Sequence, residues 1–251
     1  MINNSLQLAL ADYKKQKLKY KLPVVLGLNS DNKLEFADLV DLKHLVLAGE
    51  TGSGKSMFEH TIINTFLSLM PNKIELFLVD MKRVEFGMYR DIPQLISNII
   101  VKSEDFFVKL EKLIEEKDRR LLSENSERKY SYIIAIFDTI SDLAYSNRQQ
   151  FDGLMKKLLI DADEAKIHVI VTDSRVDESV FIPTIMSLMP TKICFTTASA
   201  ENSQCIIGSD LGVHLHSKGD MLMKEDGKEP ICLQAPYIED KEIEKIIKKI
   251  K

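Results

Sequence analysis

The stretch "HLVLAGETGSGKS", His44 to Ser56, sets the frame in which the rest of the chain is read. Its first half is an almost continuous apolar run ending at Gly49, the pattern of a strand buried on both faces. Gly49, Glu50, Thr51, Gly52, Ser53, Gly54, Lys55 and Ser56 then fit the phosphate-loop pattern G-x-x-x-x-G-K-[ST]. Beyond Lys55, the residues Phe58, Ile62, Ile63, Phe66, Leu67 and Met70 recur at a helical period that Pro71 stops. Strand, loop and helix in that order give the motif a physical meaning. At Gly52 and Gly54 the backbone turns its N–H groups inward, where a side chain would obstruct an anion. The following helix aims the positive end of its dipole at the same point. In such a loop Lys55 reaches the β- and γ-phosphates of a nucleotide, and the Ser56 hydroxyl ligates Mg²⁺.

Outward from this stretch the same alternation repeats. "PVVLGLN" and "KLEFADL" read as two short strands around the turn "SDNK". "IELFLVD", "YIIAIFD", "IHVIVTD" and "TKICFTT" read as strands, separated by the helical patterns "FFVKLEKLIEEKDRRLL" and "FDGLMKKLLIDADEA". Apolar strands alternating with helices predict an α/β fold, a mostly parallel sheet with helices on both faces. "DMLM" and "PICLQA" add a late antiparallel β pair, expected at the sheet edge, and "DKEIEKIIKKIK" ends the chain as a helix with Ile243, Ile246, Ile247 and Ile250 on one stripe. Residues 1–21 read as a short helix and a basic connector, and residues 22–251 as one large domain.

A hydrophobic content of 45% is ample for a sizeable core. No apolar run is long enough for a membrane span and no signal-peptide pattern opens the chain, so a cytoplasmic location is expected. Cys194, Cys205 and Cys232 are too few and too scattered for a disulfide framework or a zinc knuckle. The net charge of −4 argues against nucleic-acid binding over the whole surface but leaves room for a local basic groove. "YKKQKLKYK", Tyr13 to Lys21, reads first as a solvated connector and second as a contact for DNA phosphates or an acidic surface. "HLH", His214 to His216, lacks a third metal ligand nearby.

A magnesium ion beside a triphosphate also needs a carboxylate at the end of a neighbouring strand. Asp80 and Asp138 both close strands, and either would serve equally as a turn or cap residue. Asp138 closes the more apolar run and is the preferred partner of Mg²⁺.

Taken together and in order, these segments resemble the FtsK/SpoIIIE family of DNA-translocating ATPases. "LVDMKRVEFGMYRDIPQLI" is similar to the family's "DPKxxE…Y…IPHL", and "KGDMLM" to its "GDML". "DRR", "IFDTISDL", "IHVIVTDSR", "MPTKICFTTAS" and "YIEDKEIEKII" fall at matching places. The resemblance implies a RecA-like P-loop ATPase core that binds ATP between subunits of a homo-hexameric ring, with double-stranded DNA in its pore. It departs from the family on the hydrolytic side. Asp138-Thr139 stands where the family has Asp-Glu, and a threonine hydroxyl cannot take a proton from water. Ser174 replaces a glutamine while Arg175 is kept, and Gln204 replaces an arginine that reaches the neighbouring subunit's nucleotide. Asp142 and Asp173 are the candidate carboxylates to substitute for the glutamate, Asp173 being better placed at an adjacent strand end. Asp161, Asp163 and Glu164 add acid where relatives tend to be basic or small, and the "RNxxxYN" text after "DRR" is missing. These features carry two expectations. One is a translocase domain with weak or absent turnover. The other is a non-catalytic ATP-binding subunit that needs an active ATPase partner.

Overall fold

The computed structural model describes residues 4–123, 130–174 and 183–251. Strand β3 (Leu45–Ala48), fully buried, lies inside a sheet of nine strands among the described residues. It pairs in parallel with β6 (Ile167–Asp173) on one side and β7 (Thr191–Phe195) on the other. Beyond β6 come β5 (Tyr132–Asp138) and β4 (Ile74–Asp80), also parallel. Because successive side chains point to opposite faces, Leu45 and Leu47 enter one core while Val46 and Ala48 enter the other. The first core is roofed by α1 (Leu6–Gln16), α3 (Lys55–Leu69) and α9 (Asp240–Ile250). The second is roofed by α4 (Ser103–Leu121), α5 (Ile140–Ser146) and α6 (Arg148–Leu159). The expected α/β layering is what the chain adopts.

The late β pair is antiparallel as expected, but it is not at the edge. β7 pairs with β8 (Asp220–Glu225) and β8 with β9 (Ile231–Gln234). β9 in turn pairs with β1 (Pro23–Asn29), whose hairpin partner β2 (Leu34–Asp38) forms the margin. The amino-terminal hairpin therefore satisfies the edge that β9 would otherwise leave open. Asn4 reinforces this closure, its side-chain amide donating to the Gln234 and Ala235 carbonyls at 2.8 and 2.9 Å.

The helix expected over "FDGLMKKLLIDADEA" also ends early. α6 stops at Leu159 and Asp161 takes φ 58°, a left-handed turn that Asp tolerates. The stop comes from another helix: Lys117 of α4, itself buried, donates through Nζ to the Lys157 carbonyl at 2.6 Å and the Ile160 carbonyl at 3.1 Å. A cation on the last carbonyls satisfies acceptors that further helical turns would otherwise have used. Asp161, Asp163 and Glu164 thus sit in a turn at the start of β6, and Asp163 pairs with Lys43 at 2.9 Å. Among the described residues no helix is long and apolar enough to cross a membrane.

Candidate functional site

The register of the parallel strands brings the candidate residues to one end of the sheet. Asp80 lies opposite Asp138, Asp138 opposite Thr172, and Ala48 opposite Asp173. The loop Gly49–Gly54 leaves β3 at this end and feeds directly into α3. It is held on both flanks: Glu50 N–H donates to the Thr196 carbonyl and Gly219 N–H to the Ser53 carbonyl, each at 2.8 Å. Gly54 has φ +119°, and a Cβ there would lie 2.9 Å from the Gly219 amide nitrogen, so no other residue fits. Gly52 also needs a positive φ, +82°, but a Cβ there would meet nothing; it borders open space. The loop is thus held on both flanks and open at Gly52.

That side is a cavity of about 640 Å³, with Thr51, Gly52, Gly54, Lys55 and Ser56 on one wall and Asp138, Thr139 and Ser174 facing them. Glu50 and Thr51 also border a second recess of about 430 Å³, with Ser174 shared between the two. Lys55 is buried, and its Nζ donates to the Gly49 and Glu50 carbonyls, each at 2.7 Å. Burial holds its pKa below the ordinary lysine range, with Glu59 opposing and Lys82 adding to the effect. Ser56 and Asp138 share the cavity, the arrangement expected of a pair that holds Mg²⁺ together with phosphate oxygens. Burial and the negative charge of Glu85 raise the Asp138 carboxyl to about 6. The acid and hydroxyl donors fit a hard cation, and the ammonium and the bare Gly52 backbone fit a phosphate chain.

The other expected residues divide. Asp80 does not face the cavity; its carboxylate accepts from the N–H groups of Val84, Glu85 and Phe86 at 3.2, 2.9 and 3.0 Å, the turn-building alternative. Asp173 is buried, and its Oδ2 accepts from Ser141 N–H at 2.6 Å, at the start of α5. A carboxylate fixed at a helix start is poorly disposed to take a proton from water, so the structure does not support Asp173 as a substitute base. Asp142 is exposed on α5 and Gln204 exposed on α8 (Ala200–Ile207), and neither lines the cavity. Arg175, and the stretch where "RNxxxYN" would fall, lie outside the described residues. His214 ends a short 3-10 turn, and among the described residues no group of three or more His, Cys, Asp or Glu could hold a metal by itself.

Thr139 has the left-handed angles φ 61°, ψ 64°, costly for a β-branched residue, and its N–H donates to the Thr172 carbonyl at 2.9 Å. Sequence reasoning gave no role to Lys82, Glu85 and the Gln234–Tyr237 segment, which complete the cavity wall. It also missed Glu59, fully buried four residues after Lys55. Thr172 donates its hydroxyl to Glu59 Oε1 at 2.5 Å, while Oε2 has no hydrogen-bond partner among the described residues. Burial first and the Asp138 charge second push its pKa well above the ordinary carboxylate value. The signal was there: a charged residue flanked by Phe58 and Ile62 on an apolar helix.

The FtsK/SpoIIIE family model matches residues 5–126. A DNA translocase FtsK from Chlamydia trachomatis serovar D is 30% identical over 267 residues, an alignment that takes in 95% of this chain. The chain is similar to FtsK/SpoIIIE proteins along nearly all of its length. It spans about a third (33%) of the length of that curated relative, so it corresponds to one part of such a protein. Among solved structures, the pCW3 conjugation coupling protein TcpA with ATPγS has a TM-score of 0.81 at 23% identity, covering 94% of this chain and 73% of that one. The cytoplasmic domain of the Thermomonospora curvata type VII secretion ATPase EccC also has a TM-score of 0.81, at 17% identity, covering 100% of this chain and 34% of that one. These likenesses establish a RecA-like P-loop fold for the chain.

Proposed function

We propose that this chain binds ATP with Mg²⁺ and acts as a DNA translocase domain, a hexameric ring around duplex DNA with slow turnover, working in the cytoplasm. The observation that carries the nucleotide assignment is the mounted loop, with Gly54 pressed against Gly219 and Lys55, Ser56 and Asp138 at one cavity. Lys55 would exchange its two carbonyl acceptors for phosphate oxygens. Ser56 and Asp138 would hold Mg²⁺, which when bound supplies positive charge against the phosphates. Duplex DNA and the ring come from the family alone; the chain's overall acidity gives them no independent support.

A second reading is favoured by a specific observation. Thr139 occupies the place of the family's water-activating glutamate, and Asp173 is tied to Ser141. ATP would then be a structural ligand that stabilises assembly, with an active ATPase partner supplying the chemistry. Calorimetric titration of ATPγS with Mg²⁺, phosphate release with and without duplex DNA, and a native mass measurement separate the two. Binding with DNA-stimulated turnover and a six-fold mass supports the translocase. Binding with no turnover under either condition leaves the holding subunit. Failure of ATPγS to bind would sink both.

A further inference from the structure

The family-typical base position is a threonine, but the cavity is not without a second acid. Among its described lining residues the carboxylates are Asp138, assigned to the metal, and Glu85. Glu85 is partly exposed, its side chain 25% accessible, so water reaches it as it does not reach Asp173 or Glu59. Its placement is built rather than incidental. Asp80 gathers the N–H groups of Val84, Glu85 and Phe86, and Arg83 turns through φ 63° to close the loop. Because Asp80 and Asp138 are paired in register on adjacent strands, a loop folded on Asp80 presents its residues beside Asp138.

Behind Glu85 lies a directed chain of polar groups. Asn64 donates to the Tyr89 hydroxyl at 2.7 Å, and that hydroxyl meets His60 Nδ1 at 2.8 Å. With its acceptor site filled by Asn64, the tyrosine donates to Nδ1, leaving Nε2 as the protonated nitrogen of a neutral ring. Nε2 faces Glu85 Oε2 at 3.8 Å. Burial keeps His60 below the ordinary histidine pKa, consistent with that neutral form. At that separation the imidazole is a polar neighbour on the inner side of Glu85 rather than a hydrogen-bond donor to it.

From this geometry we infer that Glu85 is the catalytic base of this chain, replacing the glutamate missing at Thr139; the inference rests on the cavity being an ATP site. The water oxygen bonds to the γ-phosphorus, the bond from that phosphorus to the β–γ bridging oxygen breaks, and ADP leaves with the electron pair. The water proton passes to Glu85, which later releases it to solvent. Glu85→Gln keeps the shape and removes the acceptor. It should lower phosphate release by about 100-fold or more while ATPγS–Mg²⁺ affinity stays within about threefold of wild type. Its thermal midpoint, measured alongside, reports whether the fold is intact, and Glu85→Asp should fall between the two. Turnover of Glu85→Gln within about threefold of wild type overturns the inference, as does affinity falling in step with turnover, which would make Glu85 a ligand-holding residue. So does wild-type turnover no higher than that of Lys55→Ala. In that last case retained ATPγS binding leaves the site assignment standing, whereas loss of binding by the wild type removes the site itself.

Discussion

Gly54 and Thr139 both have backbone angles that L side chains avoid, but they differ in what holds them there. At Gly54 the reason is external, since a Cβ would meet the Gly219 amide nitrogen at 2.9 Å and its Cα at 3.0 Å. Neither contact is the flexible end of a side chain, so the loop must move. Gly54→Ala should therefore destabilise the protein by about 2 kcal/mol and weaken ATPγS binding by about tenfold or more, read by denaturant unfolding and calorimetry. Unchanged affinity would mean that the loop does not receive phosphate in this shape. Thr139 is held in the left-handed region by its own neighbours, through its N–H bond to Thr172 and a side-chain bond to Asp138. Asn tolerates those angles and retains a polar side chain, so Thr139→Asn should gain about 1 kcal/mol in urea unfolding. A loss of similar size would show that the methyl packing outweighs the strain.

At the scale of elements, the junction between α4 and α6 is set by one buried cation. Lys117 satisfies two carbonyls at the end of α6 and also lies 3.4 Å from Asp118. Lys117→Met preserves most of the apolar stem while leaving those carbonyls without their donor, and should cost about 2 kcal/mol. Lys109→Met, which removes an exposed contact to the Asn98 carbonyl, should stay within about 0.5 kcal/mol. Equal effects from the two would deny α6 its cap. This junction also marks where sequence patterns stop being informative. The buried strands and the phosphate loop were legible because each announces itself within a dozen residues: apolar runs ending in Gly or Asp, and a glycine spacing before a lysine. The end of α6 was not, because its determinant is on α4, about forty positions earlier. The position of β8 and β9 was hidden for the same reason, since β9 is closed by a hairpin near the amino terminus. Glu85 stood in plain view within "DMKRVEF", yet only the three amides gathered by Asp80 bring it to the cavity.

Across the whole molecule, titratable groups sit at opposite ends of the sheet and respond to acid with opposite signs. His44 and His168 lie at the strand ends away from the phosphate loop, their rings 6.3 Å apart. Val169 N–H donates to His44 Nδ1 at 3.1 Å, which makes that ring neutral, and His168 Nδ1 donates to the Lys43 carbonyl at 2.8 Å. Burial and then His168 lower His44 from 6.5 to about 4, and burial lowers His168 too. Between pH 6.5 and 4 the unfolded chain takes up a proton at His44 that the folded chain does not, so stability falls as pH falls, by about 3 kcal/mol once both states are protonated. Asp138 runs the other way. Its carboxyl, raised from 3.8 to about 6, is protonated in the folded chain before the unfolded one, so stability rises by a similar amount, about 3 kcal/mol, as pH falls through that window. These two contributions nearly offset each other, and substitution separates them. Relative to the intact protein, His44→Gln, which can still accept from Val169, should shift the slope between pH 6.5 and 4 toward greater stability at low pH. Asp138→Asn should shift it the opposite way over the same range. Urea unfolding at intervals of pH reads both slopes, and matching slopes in the two variants would mean that neither group is buried in the protonation state assigned to it.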